Sequence, residues 1–368
     1  MKLKICLIDS EIDLVLLKRL VPYFHGAIEL LHDDRKKASG NPRYYHGTAC
    51  LAQLIESLRE LGLLPYVNLY AYSVQLNSTR TADELLCAIK FCCNYGINLI
   101  SLSLGMLTSP NLIKVIDVLN NATSQLLCIA SSSNSGHITF PASFSQVIGV
   151  RDSLHIESDM AISVNPLDGI DVVTHHRETR VSRLIEQIYH CSIGVSSSLA
   201  TPRVCAHCAD AIIEKKRFIK KDEMLRLLQT RYGVYTDAIS PSTADDIEQP
   251  IVVCYYKPND DRKLLLKQIK LLQHYFWEES YSMGVITDIV HSSQLENSIY
   301  RYNRKNNSLN QLLHYYANRS MDSLFLCVVL NSDDINIEAD LVLHSFSLTS
   351  VQSDLAMVTQ EIIAFFSN

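Results

Sequence analysis

Short apolar runs alternate with amphipathic stretches over residues 1–240 of the chain. The runs have the length of buried strands, and the stretches between them repeat their apolar positions every three or four residues, as helices do. Strands that alternate with helices indicate a parallel sheet with helices on both faces. The predicted strands are Lys4–Ile8, Val67–Tyr72, Asn98–Leu104, Leu126–Ala130, Val147–Val150 and Asp171–Thr174. The predicted helices lie near 47–62, 82–95, 110–121 and 198–216.

A polar, turn-rich segment separates this block from a second, shorter one. We predict a first domain over 1–235, a linker over 236–250 and a smaller C-terminal α/β domain over 251–368. The second block again alternates the two patterns. Its predicted strands are Ile251–Tyr256, Gly284–Ile289, Leu324–Leu330 and Ala339–Leu343, and its predicted helices lie near 261–277, 308–318 and 350–366.

The composition excludes several classes of function. Hydrophobic residues make up 47% of the chain and charged residues 20%, which is typical of a chain with a packed core and not of a disordered one. The net charge of −6 argues against a basic face for nucleic acid. No apolar run reaches the roughly 18 residues of a membrane helix. We therefore predict no nucleic-acid partner and no membrane partner.

The cysteines and the N-terminus indicate the compartment. The chain has 11 cysteines, an odd number, and most lie in apolar runs, which favours buried free thiols in the cytoplasm over a disulfide framework. Cys205 and Cys208 have the spacing of zinc ligands, but no second pair is evident, so core packing is the better interpretation. We predict no metal and no other cofactor. Because the N-terminus enters a strand at once, we expect neither a signal peptide nor a pro-segment.

Three segments of the first block carry the side chains of a nucleophilic triad. Asp9 ends an apolar strand, His46 begins a helix, and Ser198 begins another helix. In such a triad the acid orients the imidazole, the imidazole takes the hydroxyl proton, and the hydroxyl oxygen attacks a carbonyl. Alone, a strand-end acid or a helix-start serine is usually a cap, and a lone histidine is usually structural. Their combination indicates acyl-transfer chemistry.

The sequences around these three residues resemble those of the subtilisin-like serine proteases. Asp9-Ser10-Glu11-Ile12 resembles that family's Asp-Ser/Thr-Gly-Ile motif, and His46-Gly47-Thr48 matches its His-Gly-Thr motif. Ser198-Leu199-Ala200-Thr201-Pro202 resembles its Ser-Met-Ala-Ser/Thr-Pro motif, and the order along the chain is also the family's. The resemblance implies that Asp9 orients His46, that His46 is the general base and then the general acid, and that Ser198 is the nucleophile.

Further segments between these motifs also resemble the family, so that the resemblance covers residues 1 to 216. Ile100–Gly105 resembles the edge strand that pairs with the substrate, and Ile129–Gly136 resembles the segment whose Asn donates to the oxyanion. Phe140–Val150 resembles the family's Tyr-Pro-Ala and Val-Ile-Gly-Val run. The resemblance implies an oxyanion donor at Asn134. It implies substrate-binding positions at Leu102, Ser103, Leu104, Gly105 and Ser133.

The chain departs from the family's pattern close to these positions. Glu11 and Ser133 replace glycines, and Ser196-Ser197 replace Gly-Thr before the nucleophile. We expect Ser133 to narrow the side-chain pocket and Ser196 to strain a close approach, since each adds a Cβ. Ser197 keeps a hydroxyl that is available to the oxyanion. Glu11 either points to solvent or meets a charged substrate residue.

The sequence favours a cytoplasmic serine endopeptidase that cleaves a peptide or protein precursor, for example by removing the leader of a ribosomally made, modified peptide. The alternative is an inactive pseudo-protease that binds peptides at residues 102–105 without cutting them. The second block lacks the glycines and the Lys-Ser/Thr ending of a phosphate loop, so no nucleotide is predicted. Its many aromatic residues suggest a surface for substrate recognition or for a homodimer.

Overall fold

The structure is a computed structural model of the chain, and it describes twelve segments. They are residues 2–32, 46–74, 81–107, 112–164, 166–190, 194–236, 247–290, 298–303, 308–320, 322–330, 339–343 and 352–367. The chain divides into two compact units, Met1–Asp237 and Ala238–Asn368. Among the described helices, none combines the length and the apolar character that crossing a bilayer requires.

The first unit alternates strands with helices along most of its length. Its described strands are β1 (Leu3–Asp9), β2 (Ile28–His32), β3 (Val67–Ser73), β4 (Leu99–Leu102), β5 (Leu127–Ser131), β6 (Val147–Ser153), β7 (Met160–Ser163), β8 (Val172–His175) and β9 (Val234–Tyr235). Its described helices are α1 (Leu14–Leu20), α2 (His46–Glu60), α3 (Thr81–Tyr95), α4 (Leu112–Ala122), α5 (Arg180–Tyr189), α6 (Ser197–Lys215) and α7 (Lys221–Tyr232).

These strands form one sheet in the order β2-β3-β1-β4-β5-β6-β8-β7-β9, in which only the β7–β8 pair is antiparallel. Alternate residues of β1 point to opposite faces of the sheet. Ile5 and Leu7 belong to the core that α2 and α6 cover, and Cys6 contacts Cys92 of α3. The predicted α/β class, with a parallel sheet and helices on both faces, is confirmed.

The second unit repeats this architecture on a smaller scale. Its described strands are β10 (Ile251–Tyr256), β11 (Met283–Thr287), β12 (Ile299–Arg301), β13 (Leu324–Leu330) and β14 (Leu341–Leu343), all parallel, in the order β12-β11-β13-β10-β14. Its described helices are α8 (Arg262–Glu278), α9 (Leu309–Ala317) and α10 (Gln352–Ser367). The unit has its own core, to which Tyr256 and Phe276 contribute. The prediction of a smaller C-terminal α/β unit is confirmed.

Every predicted strand and helix is present, with ends that differ by a few residues. The sequence patterns missed α1, α5 and α7 and the short strands β2, β7, β9 and β12. A strand of two to five residues has too few positions to establish a period, so its identity depends on the strand it pairs with.

Candidate active site

The polar residues of the first unit meet at one edge of its sheet. Asp9 is the last residue of β1, Ser103 follows β4, and Asn134 lies three residues beyond β5. Carboxyl ends of parallel strands form a common edge, where open α/β sheets bind their ligands. The residues His46 and Ser198 reach the same edge from the first turns of α2 and α6.

Asp9 is fully buried and has a defined set of donors. Its Oδ1 accepts from Nδ1 of His46 at 2.8 Å, from the Ser10 amide at 2.6 Å and from the Ser10 hydroxyl at 3.1 Å. Within the described residues, Oδ2 has no hydrogen-bond partner. The carboxylate is therefore held on one side by the strand that carries it and by the imidazole.

The residues after His46 explain how the imidazole reaches this carboxylate. A Cβ on Gly47 would lie 2.5 Å from the Ser10 carbonyl oxygen, so only glycine lets the first turn of α2 approach β1 this closely. The Gly47 amide donates to the Ser10 hydroxyl at 3.2 Å, and the Thr48 hydroxyl accepts from the Asp13 amide at 2.8 Å. The motif thus fastens the helix start to the end of the strand.

The imidazole of His46 lies over a buried thiol one helical turn away. The Cys50 sulfur is 3.8 Å from Nδ1 and 3.9 Å from Nε2, so it faces the flat side of the ring and lies along neither N–H direction. A Cys50 thiolate, and then the Asp9 carboxylate, would each raise the pKa of His46, while burial opposes them. Because burial also raises the pKa of Cys50, this thiol is protonated at neutral pH, and the charge that acts on His46 is that of Asp9.

Ser198 lies in the first turn of α6, where a proline shapes the local hydrogen bonding. Pro202 has no N–H to donate to the Ser198 carbonyl four residues earlier. That carbonyl instead accepts from the Ser103 hydroxyl at 3.0 Å and from the Cys50 thiol at 3.5 Å. These bonds tie the helix start to the end of β4 and to α2.

The hydroxyl of Ser198 donates to the Ser103 carbonyl at 3.4 Å. The Cys50 sulfur contacts both the His46 ring and the Ser198 backbone, so these two residues are neighbours across the thiol. A hydrogen bond of 3.4 Å is long and weak, and a rotation about one side-chain bond redirects the hydroxyl.

Asn134 is an exposed residue, and a hydrogen bond to its side-chain amide oxygen fixes the orientation of the side chain. Its Oδ1 accepts from the Ser197 amide at 2.9 Å. Since a backbone N–H can only donate, this bond settles which end of the side-chain amide is oxygen. The NH2 group remains available as a donor beside the start of α6.

The structure shows the surroundings of three departures from the family pattern. Ser196 has a φ of −142°, which any residue adopts, and its hydroxyl accepts from the Leu199 amide as the N-cap of α6. The backbone at Ser196 is therefore unstrained, and strain in a close approach to its Cβ stays a prediction. Glu11 is exposed to solvent. The Ser133 hydroxyl contacts that of Ser135 at 2.6 Å.

The expectation that the Ser197 hydroxyl assists the oxyanion is wrong. This residue is 1% exposed, and its hydroxyl accepts from the Asp152 amide and contacts the Ser132 hydroxyl, both at 3.3 Å. The hydroxyl therefore points into the protein. Ser197 acts at the site through its backbone, by its bond to Asn134.

The prediction that Leu102 lies in an edge strand and pairs with substrate is wrong. This residue pairs with Ile8 of β1 and with Ala130 of β5, so both of its backbone edges are occupied inside the sheet. Ser103 and Leu104 follow β4 and are buried, and Gly105 is exposed. Substrate pairing thus stays a prediction for Ser103–Gly105 and is withdrawn for Leu102.

Two groups of potential metal ligands have other roles. Within the described residues, Asp9, His46 and Cys50 bring ligand atoms within 4.8 Å of one another. The hydrogen bond from Nδ1 of His46 to Asp9 needs a proton on that nitrogen, so Nδ1 has no lone pair for a metal ion. Cys205 and Cys208 are fully buried in the core, as the sequence indicated, and burial raises the pKa of both thiols.

Sequence reasoning missed two residues at this edge. Cys50 touches both His46 and Ser198, although the spacing of four residues after a helix-start histidine predicts that it lies beneath the ring. Asp152 of β6 contacts the residues that precede Ser198. No local pattern marks Asp152, because its partners lie far along the chain.

No protein-family model and no curated protein matches the chain. Among solved structures, a lanthipeptide protease is 19% identical, with 62% of this chain and 79% of that chain covered and a TM-score of 0.43. The nisin leader peptidase NisP from Lactococcus lactis is 16% identical, with 64% and 85% covered and a TM-score of 0.41. A cold-adapted subtilisin-like serine proteinase is 16% identical, with 62% and 81% covered and a TM-score of 0.42.

Proposed function

We propose that the chain is a subtilisin-like serine endopeptidase that cleaves a peptide or protein precursor. The observation that carries this proposal is the 2.8 Å hydrogen bond between the buried Asp9 carboxylate and Nδ1 of His46. It leaves Nε2 of the same ring as the basic atom, at the sheet edge where α6 presents Ser198. An acid–imidazole pair beside a helix-start serine is the arrangement that nucleophilic acyl transfer requires.

In the proposed reaction, the Ser198 hydroxyl turns from the Ser103 carbonyl to Nε2 of His46. The imidazole takes the proton while the serine oxygen attacks the scissile carbonyl carbon, and Asp9 stabilises the resulting imidazolium. The NH2 group of Asn134 and the Ser198 amide donate to the oxyanion. His46 then gives its proton to the leaving amine, and water releases the acyl group from the serine by the same route.

The specific reaction that we propose is removal of a leader segment from a ribosomally made, modified peptide in the cytoplasm. All ten cysteines in the described residues are free thiols, which supports a reducing compartment. An endopeptidase that shares a compartment with the cell's other proteins needs a narrow substrate range. A dedicated precursor provides such a range.

A second candidate function is peptide binding without cleavage. The observation that favours it is the direction of the Ser198 hydroxyl, which bonds to the Ser103 carbonyl. A module of this kind would hold an extended peptide against residues 103–105 by main-chain hydrogen bonds.

Covalent labelling by a peptidyl phosphonate separates the two functions. We expect the wild-type chain to be labelled at Ser198 and the Ser198→Ala variant to remain unlabelled. Ser135→Ala is the matched control, because Ser135 is exposed nearby and, among the described residues, its hydroxyl hydrogen-bonds to that of Ser133. A wild-type chain that binds peptides but takes up no label would contradict the endopeptidase and support the binding module.

A further inference from the structure

A buried carboxylate next to the proposed nucleophile is not used by the triad. Asp152 lies in β6 and is 7% exposed. Its Oδ2 accepts from Nδ1 of His176 at 2.7 Å and from the Ser196 amide at 3.0 Å, and its Oδ1 accepts from the Thr174 hydroxyl at 3.0 Å. A buried carboxylate is tolerated only when donors compensate for lost hydration, and here three donors do so.

The contacts of Asp152 reach both residues that precede Ser198. The carboxylate holds the Ser196 amide, and the Asp152 amide donates to the Ser197 hydroxyl at 3.3 Å. The amide of an N-cap residue has no partner inside its own helix, so this bond supplies one. These two hydrogen bonds with Asp152 therefore hold the first turn of α6 against β6.

The same segment fixes the proposed oxyanion donor. Asn134 is exposed and lies in a loop, and its amide oxygen accepts from the Ser197 backbone at 2.9 Å. A shift of Ser197 would move the Asn134 side chain and the Ser198 amide together. Oxyanion stabilisation depends on such donors being held in place before the reaction.

His176 holds the outer side of this carboxylate. It follows β8, and its side chain is 24% exposed. Other charged groups nearby are Arg203 of α6, which is buried and interacts with Asp152, and Arg177 and Asp159, which interact with Arg203. Without His176, Oδ2 would keep the Ser196 amide but lose the donor that fixes its orientation.

We propose that Asp152 and His176 are positioning residues that hold Ser196 and Ser197, and through them Asn134, in the geometry that binds the oxyanion. This inference rests on the proposed endopeptidase function. It assigns a role to His176 that is separate from general acid–base catalysis, since the hydrogen bond of its side chain within the described residues is to Asp152.

The test is a double-mutant cycle with Asn134. We expect His176→Ala to lower kcat roughly 10-fold and Asp152→Ala roughly 100-fold, with little change in KM, as losing a hydrogen bond to a charged group does. His176→Asn, whose amide can replace Nδ1 as the donor, should restore most of kcat. In an Asn134→Ala background, His176→Ala should lower kcat by a clearly smaller factor than in the wild type, because the part of its effect that acts through Asn134 is gone.

The controls separate positioning from loss of structure. His155→Ala, an exposed histidine just beyond β6, should leave kcat unchanged. Thermal unfolding reports the folded fraction of each variant. If Asp152→Ala does not fold, the cycle of His176 with Asn134 decides alone.

Three results would overturn the inference. The first is an equal loss of kcat from His176→Ala in the wild-type and Asn134→Ala backgrounds. The second is a change confined to KM. The third is no rescue by His176→Asn. Each requires a wild-type chain that a phosphonate labels at Ser198; a wild-type chain without labelling overturns the proposed function itself, and this inference with it.

Discussion

Each unit of the chain contains a buried carboxylate, and the two carboxylates have different partners. Asp9 ends a strand of the first unit, and its partner is the imidazole of His46, whose side chain is 29% exposed. Asp322 precedes a strand of the second unit and accepts from the hydroxyl of Tyr300, which is fully buried, at 2.8 Å. Burial raises the pKa of Asp322 to about 6, against its bonds to Tyr300 and nearby serines.

A glycine lies against each of these carboxylate sites. A Cβ on Gly47 would meet the Ser10 backbone at 2.5 Å, and a Cβ on Gly284 would meet Oδ2 of Asp322 at 2.7 Å. Both units thus use close packing to enclose a carboxylate. Of these two carboxylates, Asp9 is the one whose partner is an imidazole, a group that can take up and release a proton and that reaches solvent. The two parallel α/β sheets therefore differ in the partner of the buried acid and in the access of that partner to solvent, and on these the proposed chemistry depends.

The largest expected effect separates the two carboxylates by activity. Asp9→Asn should lower kcat roughly 10,000-fold, because the imidazole loses the acceptor that fixes its tautomer and stabilises its charge. Asp322→Asn should leave kcat unchanged. Steady-state hydrolysis of one peptide substrate by both variants measures the difference, and similar losses would show that the two acids are not functionally distinct.

The next prediction concerns stability against pH. The pKa of Asp322 is about 6 in the folded protein and 3.8 ordinarily, so the folded state binds this proton more tightly. The stabilisation is present below pH 3.8 and is lost as the pH rises through 6. From pH 4 to pH 7, the free energy of unfolding should therefore fall by roughly 2 to 3 kcal/mol more in the wild type than in Asp322→Asn. Urea unfolding followed at both pH values measures this, and parallel pH dependence would contradict it.

The two glycines provide a matched pair. Gly47→Ala and Gly284→Ala should each destabilise their own unit by about 1 to 3 kcal/mol, the usual cost of overpacking. Gly47→Ala should also lower kcat, because the new methyl group pushes α2, and His46 with it, away from Asp9. Thermal unfolding and kcat measured side by side test this. Equal kcat values for the two variants would show that the approach of α2 does not position the imidazole.

Removal of the second unit tests whether it recognises substrate. A chain that ends at Asp237 keeps the whole core of the first unit and every proposed catalytic residue. We expect it to cleave a short peptide at an unchanged rate and to lose about tenfold in kcat/KM on a full precursor, as a second binding region would be lost. Equal kcat/KM on the precursor would mean that the second unit has no role in recognition.

The smallest expected effect distinguishes Asp9 from Cys50 as the source of the raised pKa of His46. A raised pKa means that the neutral, basic imidazole forms only above the ordinary value of 6.5, so the rise of kcat/KM with pH should have its midpoint above 6.5. Because the Cys50 thiol is protonated, Cys50→Ser should move this midpoint by less than about half a pH unit. A larger fall would identify the sulfur as the charged neighbour.

Much of the fold and of the candidate site could be predicted because its signals are local. The spacing of apolar positions that predicts β1 and α2 is visible within a few residues of sequence, and the residues of the His46-Gly47-Thr48 motif are contiguous. The structure explains why that motif has a glycine: a Cβ on Gly47 would lie 2.5 Å from the Ser10 backbone, which leaves no room for a side chain. The catalytic roles of Asp9, His46, Ser198 and Asn134 stay predictions until the labelling and kinetic experiments are done.

What could not be predicted depends on partners that are distant in sequence. The interior position of Leu102 follows from pairing with Ile8 and Ala130, and the role of Asp152 follows from Ser196 and His176. A pattern along the chain cannot show which side of a strand is occupied or which amide a carboxylate meets.

The sequence by itself determined the alternation of strands and helices, the presence of a second, smaller α/β unit and the segments that carry acid, imidazole and hydroxyl. Periodicity and motif spacing encode these features, because each depends on neighbours within one element. Only the tertiary structure decided that the Ser197 hydroxyl points inward, that Cys50 lies beneath His46 and that Asp152 holds the start of α6. These features come from hydrogen bonds and packing between elements that the chain brings together only when it folds.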